Sequence, residues 1–337
     1  MRLRVSERVT RAAPFLVRPP RMHLARSVPR RRTWDIGGVL AALALLAMTP
    51  PAVARTRAPP LVGELTLDAA TPFVTVTVAG VPLRLRVDPA QWDRIELNAD
   101  AARRLPLAWT SGQDIEVGRI ALPGHSAEGE MLIESRRQPV LLVEHGVVAA
   151  PDADGIVGPD ILPFLTVRWH RADAPAPSGA LTLPVVVSDA AGIEASDPGL
   201  PLPIRIHLSL IAERSSATAA AGSLLIGRYG GHFSGPAAPL PVLFGIRRPA
   251  RPLALDRAPL IAGFRFTGLP VRVADFRGGN PLPSDPTPKS DIVVAKRERP
   301  QVAEPWITLG LDRLSRCVTI TYTAAPRTLV LDCAFDR

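Results

Sequence analysis

Residues 73–90 read FVTVTVAGVPLRLRVDPA. Apolar side chains alternate from Phe73 to Val78, Ala79-Gly80 interrupts them, and alternation resumes from Val81 to Val87. Period two places every second side chain on one face of a strand. Two such runs about a Gly-containing pair predict a β-hairpin. Outward from this hairpin, further strands are expected over 114–122, 130–134, 140–143, 165–169, 181–187 and 204–210, with helical turns only at 98–105 and 159–164. The 37 prolines and 25 glycines, with 5% aromatic residues, fit many turns and short elements. The expected class is all-β.

The two halves of the chain echo each other. Residues 155–169 read GIVGPDILPFLTVRW and residues 307–322 read ITLGLDRLSRCVTITY. Both carry G-x-D-x-L followed by a strand ending in an aromatic: Gly158, Asp160, Leu162 and Trp169, then Gly310, Asp312, Leu314 and Tyr322. Upstream, Pro139-Val140-Leu141-Leu142-Val143 is matched with Pro270-Val271-Arg272-Val273. Matches in the same order at a long period indicate a duplicated domain rather than a solenoid. The expected division is a first lobe over 60–187, a linker rich in Ala, Pro, Asp and Gly over 188–203, and a second lobe over 204–337. Within the second lobe, the polar, proline-containing stretch 278–300 is expected to be a mobile insertion.

The hairpin ends at Leu85-Arg86-Val87-Asp88-Pro89-Ala90, and Asp154-Gly155-Ile156-Val157-Gly158-Pro159-Asp160-Ile161-Leu162 follows later. This pair of segments resembles the retropepsin-like and pepsin-like aspartic peptidases. There a strand delivers an Asp in a D-T/S-G-A loop, and a later G-I-x-G-x-D-x-L segment closes the active-site loop. The resemblance spans about residues 62–185, with a weaker copy over 204–335. It implies a two-lobed fold in which each lobe is a closed or partly closed barrel of six to seven strands. It makes Asp88 the candidate catalytic residue, with Pro89, Ala90, Gly155, Ile156, Val157 and Gly158 in the active-site loop. The matching strand of the second half is expected over 222–231, and within it Gly227, Arg228, Tyr229 and Gly230 are expected to form the second-lobe counterpart loop.

Chemistry of this kind needs two facing carboxylates that share one proton, because like charges about 3 Å apart cannot both ionise. The pattern breaks twice. Pro89-Ala90 stands where T/S-G is expected, which removes a hydroxyl and a backbone N–H. The stretch 222–231 holds no Asp. Asp88 is thus read either as a residual active-site group or as a turn residue at a strand end. Asp160 and Asp312 are expected to cap or position a short helix. Asp152 and Asp154 lack a third metal ligand and are read as solvated loop acids. The histidines show no metal-binding spacing. Gly231-His232-Phe233-Ser234-Gly235 is not a G-x-S-x-G nucleophile turn, and the Gly-rich run 227–235 lacks the Lys-Ser/Thr of a phosphate loop. No metal and no cofactor are expected.

The N-terminal region has its own pattern. Ten arginines against two acids in the first 35 residues precede an uncharged apolar run, Ile36–Met48, and an A-x-A box at Ala52-Val53-Ala54. This order predicts a signal peptide over 1–54, with Met22 as an alternative start. The apolar run is shorter than the roughly 20 residues of a membrane span, so membrane contact is expected only in transit, and a periplasmic or secreted location follows. Of 40 basic and 31 acidic residues, the leader holds 10 and 2. The near-neutral remainder argues against nucleic acid as a partner. Cys317 and Cys333, in an oxidising compartment, are expected to pair across a hairpin centred on residue 325. The functional expectation is an exported, catalytically degenerate aspartic-peptidase-like protein that binds an extended peptide or protein segment between its lobes. Two other readings stand beside it: an active aspartic endopeptidase, a hydrolase using Asp88 and a second acid, and a structural β-protein of the cell envelope.

Overall fold

In the computed structural model the described residues are 61, 63–91, 93–117, 120–188, 192–273 and 305–336. The expected signal peptide and the insertion at 278–300 lie outside them. No described helix is long and apolar enough to cross a membrane.

The first half opens with β1 (Glu64–Asp68), then β2 (Phe73–Val78) and β3 (Val81–Val87). β2 and β3 pair antiparallel about Ala79-Gly80, both with positive φ, which matches the right-handed twist of the flanking strands. Val74, Val76 and Val78 point inward with Leu83, Leu85 and Val87, whereas Thr75 and Arg84 face outward. β4 (Ile95–Leu97) leads into helix α1 (Ala99–Arg104). After β5 (Thr110–Ser111), a small hairpin of β6 (Ile115–Val117) and β7 (Ile120–Leu122) precedes the long antiparallel pair β8 (His125–Ile133) and β9 (Arg136–Glu144). β10 (Gly155–Val157) and a 3-10 turn at Pro159–Ile161 lead to β11 (Thr166–His170) and β12 (Gly179–Ser188).

Six of these strands run in the order β2-β3-β10-β4-β9-β8, and a β2–β8 pairing closes them into a barrel, with β5 attached to β8. Close packing at β10 demands glycine: a Cβ on Gly155 would lie 2.3 Å from the Glu96 carbonyl oxygen.

The second half comprises β13 (Gly192–Ser196), β14 (Arg205–Leu208), β15 (Ser216–Ala217), helix α2 (Ala219–Tyr229), β16 (His232–Phe233), β17 (Ala238–Leu243) and β18 (Ile246–Ala254). There follow β19 (Leu260–Ile261), β20 (Phe264–Arg265), β21 (Gly268–Arg272), β22 (Trp306–Leu309), helix α3 (Leu311–Leu314), β23 (Cys317–Ala324) and β24 (Arg327–Cys333). Its strands run β13-β14-β22-β15-β21-β18. That order repeats the first barrel pairing by pairing. β14 and β22 are parallel like β3 and β10, β15 and β21 are parallel like β4 and β9, and β13–β14 and β18–β21 are antiparallel like β2–β3 and β8–β9. Among the described residues no pairing of β13 with β18 closes this second set.

Three expectations change here. The stretch 188–203 is more than a linker, because it contains β13, the outer partner of β14, with Ile193 and Ala195 buried. The run 222–231 is not a strand. Thr218 caps α2 by accepting from the Ala221 N–H at 3.2 Å, and Gly230, at φ +70°, ends it. The Pro139 and Pro270 segments do fall on corresponding strands but in a different register. Leu97 pairs with Glu144, and its counterpart Ala217 pairs with Val271, so Pro270 corresponds to Val143.

The halves share one sheet. β11 of the first half pairs with β23, and β12 pairs with β24, giving the order β1-β11-β23-β24-β12-β13. Trp169 and Tyr322, both fully buried, project from this sheet, and the Trp169 indole donates to the Val87 carbonyl at 3.2 Å. The shared sheet is thereby fastened to the strand that ends at Asp88. Cys317 and Cys333 lie opposite each other on β23 and β24 and are disulfide-bonded. The hairpin turns at Ala325-Pro326 and pairs Thr323 with Thr328, half a residue from the expected centre; an irregularity between Cys317 and Thr319 brings the cysteines back into register.

Candidate functional site

Asp88 sits one residue past β3, where the parallel partner β10 also ends, and its N–H donates to the Val157 carbonyl at 3.1 Å. Ser209 sits one residue past β14, and its N–H donates to the Leu309 carbonyl at 3.0 Å. The two residues are topological equivalents, one from each half, and their side chains meet: the Ser209 hydroxyl donates to Asp88 Oδ2 at 2.9 Å. Asp88 is 3% exposed and Ser209 8%.

Each also closes a local turn. The Ala90 N–H donates to Asp88 Oδ1 at 2.9 Å, and the Ile211 N–H donates to Ser209 Oγ at 3.2 Å, both two residues on. Across the halves, the Leu210 N–H reaches Asp88 Oδ1 at 3.4 Å. The reciprocal bond from residue 89 to Ser209 cannot form, because Pro89 has no N–H. The Ala212 N–H, at 3.1 Å, fills the Ser209 oxygen instead.

Burial raises the Asp88 carboxyl above the usual carboxylate range, opposed by the donors from Ala90, Ser209 and Leu210 and by the Arg86 cation. The Arg86 guanidinium itself links the halves. Nη1 pairs with Asp152 Oδ2 at 2.7 Å and Nη2 donates to the Leu210 carbonyl at 3.1 Å.

Among the described residues, the side chain that meets Asp88 from the second half is a serine hydroxyl, not a carboxylate. A serine hydroxyl cannot supply or hold the second charge. It is also poorly disposed as a nucleophile, since its proton points at Asp88 and two backbone N–H groups occupy its oxygen. Of the expected loop residues, Ala90 donates to the Asp88 carboxylate, Val157 accepts the Asp88 N–H, and Gly155 pairs with Leu85 on the neighbouring strand. Ile156 turns to the opposite face, packing with Ala149 and Ala150 against Ile211 and Phe244 of the second half. Gly227, Arg228 and Tyr229 form the end of α2 and Gly230 its cap, so they are not the counterpart loop. That place belongs to Ser209-Leu210-Ile211. The alternating run ending at Leu208 was the available signal, and a search for a second Asp passes over it.

The G-x-D-x-L acids differ from each other. Asp312 Oδ1 accepts from the Ser215 N–H at 2.6 Å and the Ser215 hydroxyl at 2.7 Å. Asp160 Oδ1 is buried with no hydrogen-bond partner. In the first half Ile95 takes the place of Ser215, opposite Val157, and offers no hydroxyl. Burial pushes the Asp160 carboxyl up to about 6, opposed by its own and the Ile161 backbone N–H groups and by Arg327, with Asp93 adding to the rise. Asp152 pairs with Arg86. Asp154 accepts the Arg84 N–H at 2.8 Å and pairs with Arg104. Among the described residues no group of three His, Cys, Asp or Glu side chains could hold a metal ion.

No protein-family model matches the chain, and no curated protein does. Solved structures do match. One is the EIAV protease in complex with the inhibitor HBY-793, a retroviral protease 20% identical, at a TM-score of 0.23, over 27% of this chain and 85% of that one.

Proposed function

We propose that this is an exported protein of two aspartic-peptidase-like lobes, catalytically degenerate, that binds an extended peptide or protein segment between them. The observation that carries the reading is the hydroxyl of Ser209. It faces Asp88 from the equivalent position of the second half, where a hydrolytic pair needs a carboxylate. The duplicated strand order supports a two-lobed ancestry. The arginine-rich leader, its apolar run and the A-x-A box support export, and the Cys317–Cys333 disulfide fits an oxidising compartment.

An active endopeptidase is disfavoured because the donors to Asp88 are two backbone N–H groups and a serine hydroxyl, none of them an acid. The test has two arms on the purified, disulfide-bonded protein. Incubation with a denatured, fluorescently labelled protein from acid to neutral pH should release no fragments. A library of extended peptides passed over the immobilised protein should leave a retained subset, identified by mass spectrometry. Acid-optimal cleavage that disappears in Asp88→Asn would install the endopeptidase reading, and absence of any retained peptide would remove the binding one.

A further inference from the structure

His145 lies between elements of both halves. It follows β9 directly and is fully buried at its side chain with Glu96. Its Nδ1 is 2.7 Å from Glu96 Oε1 on β4, and its Nε2 is 2.7 Å from the Gln113 carbonyl at the foot of the β6–β7 hairpin. A carbonyl oxygen only accepts, so Nε2 carries a proton. Another proton lies on the line between Nδ1 and Glu96. If it is lost, either Nε2 or Nδ1 confronts an oxygen at 2.7 Å with no hydrogen between them.

A third element rests on the same ring. The Phe244 ring, at the tip of the β17–β18 hairpin of the second half, stacks on the imidazole with centroids 5.9 Å apart and planes 24° apart. Phe244 occupies the first position of a two-residue turn at φ +45°. Asn, Asp or Gly is the usual residue there, and a bulky side chain at positive φ costs on the order of 1–3 kcal/mol. Seating of the ring on His145 and on the cluster of Ala149, Ala150 and Ile156 offsets that strain. At the other contact, Gly124 leaves no slack: a Cβ there would lie 2.2 Å from the Gln113 oxygen and 2.8 Å from His145 Nε2.

We propose that His145 is a protonation-dependent latch, holding the β6–β7 hairpin of the first half and the β17–β18 hairpin of the second against β4 while charged and releasing both on losing its proton. The inference rests on the peptide-cleft reading only for what release would admit. The charged groups about the ring are few. Glu96 faces it directly, with Arg94 on the Glu96 side. Glu144, the preceding residue, accepts from His125 and from the Gly146 N–H. Asp114, beside Gln113, accepts from the Gly124 N–H. The β17–β18 hairpin brings the uncharged Phe244 ring to the contact, and its first cations in sequence, Arg247 and Arg248, come after the turn.

Burial works against the imidazolium, but the hydrogen bond and charge of Glu96, the Gln113 carbonyl and Glu144 outweigh it, and the His145 pKa is raised above 6.5. A raised folded-state pKa means that the stabilisation is full below the unfolded value and is lost as pH rises through the folded one. The latch is therefore shut in acid and opens as pH rises through the raised folded-state value.

Amide exchange read by mass spectrometry on the full, disulfide-bonded protein without peptide tests this, from about pH 6 to about pH 9 with intrinsic rates divided out. Segments 113–124 and 238–248 should keep constant protection at low pH. Their opening should rise roughly tenfold per pH unit from about 6.5 and level off at a shared midpoint, the folded-state value, as loss of one proton requires. Glu96→Gln should move that midpoint down, and His145→Gln should abolish the step. Should His145→Gln not fold, the imidazole resonances of His145 in the wild-type protein must titrate with the same midpoint. Flat protection across the range, a step in only one hairpin, or a midpoint unmoved by Glu96→Gln would each overturn the latch. None of these outcomes bears on whether peptides bind.

Discussion

Replacing Asp160 with Asn should stabilise this protein at neutral pH, although Asp160 belongs to a motif that the chain carries twice. The carboxyl lies in the 3-10 turn after β10, with Oδ1 buried and unpartnered and Asp93 nearby. Its pKa moves from 3.8 to about 6. Two units correspond to about 3 kcal/mol that the folded state gives up when this group ionises. Because the folded value is raised, the group's contribution is intact below about 3.8 and is lost as pH climbs through about 6. Asp160→Asn removes the charge and keeps the shape. It should gain up to about 3 kcal/mol at pH near 7.5 and almost nothing at pH near 4, where the wild-type carboxyl is already protonated.

Urea unfolding with the disulfide intact, at both pH values, reads this as a midpoint shift of roughly 1 M at the higher pH only. Asp312 is the internal control. Its oxygen accepts two short bonds from Ser215, charge-assisted bonds of the stronger kind, so Asp312→Asn should lose stability. Equal gains for Asp160→Asn at both pH values would show a packing effect in place of the electrostatic one. A loss at both would show that the carboxylate is satisfied, and the reasoning fails.

Other expectations follow from the same contacts. Ser209→Asp places a second carboxylate against Asp88, so its stability should fall at neutral pH and recover in acid as the pair takes up a shared proton; thermal unfolding that loses equally at both ends of the pH range would contradict this. Asn98→Ala should cost at least about 3 kcal/mol in chemical denaturation. Its buried amide accepts from the Ala149 and Ala150 N–H groups and donates to the Ala150 and Ala153 carbonyls; of these four groups only the Ala150 carbonyl keeps another bond, from the Ala153 N–H. Replacing Cys317 and Cys333 together by Ser should cost roughly 3 kcal/mol through the lost constraint on a 16-residue separation, and free thiols in protein recovered from its compartment, with exchange blocked, would contradict the bond itself.

The first barrel was legible because its strands carry their periodicity openly. The runs Val74–Val78 and Val81–Val87 alternate on either side of the turn, and Gly80 takes the positive φ that glycine readily adopts. The G-x-D-x-L segments were legible because each follows the strand that pairs parallel with the site strand, and glycine is obligatory where backbones approach closely. At Gly310, for example, a Cβ would lie 2.6 Å from the Arg214 carbonyl carbon. The second-half counterpart of Asp88 was hidden because it is a serine, and nothing in the sequence of Ser209 marks it as the partner of a carboxylate. β13 was hidden by composition. Gly192–Ser196 is short and sits in a stretch full of Ala, Pro and Gly, and only its pairing with β12 and β14 makes it a strand. The run Ser223–Ile226 is apolar enough to suit either structure, and the Thr218 cap and three preceding alanines decide for helix.

The asymmetry at the centre has one physical source running through several positions. A pair of carboxylates facing across a pseudo-twofold axis must share a proton, and the loops about them must be able to donate to both. Here each relaxation suits the others. With a neutral hydroxyl at 209, Asp88 need not share a proton with a like charge, and the hydroxyl becomes one of its donors. With no charge on Ser209, nothing requires residue 89 to donate toward it, and a proline there has lost no bond the second half still needs. The oxygen of Ser209 is then held by the Ile211 and Ala212 N–H groups of its own half. Under the proposed function, Ser209→Asp alone would therefore not make a hydrolytic pair, because the new carboxylate would still lack the N–H that Pro89 cannot supply. Ser209→Asp combined with Pro89→Ser is the smallest change that restores both the charge and a donor on each side. If Ser209→Asp alone yielded cleavage equal to that of the double variant, the cross-half N–H would have no part in supporting the pair.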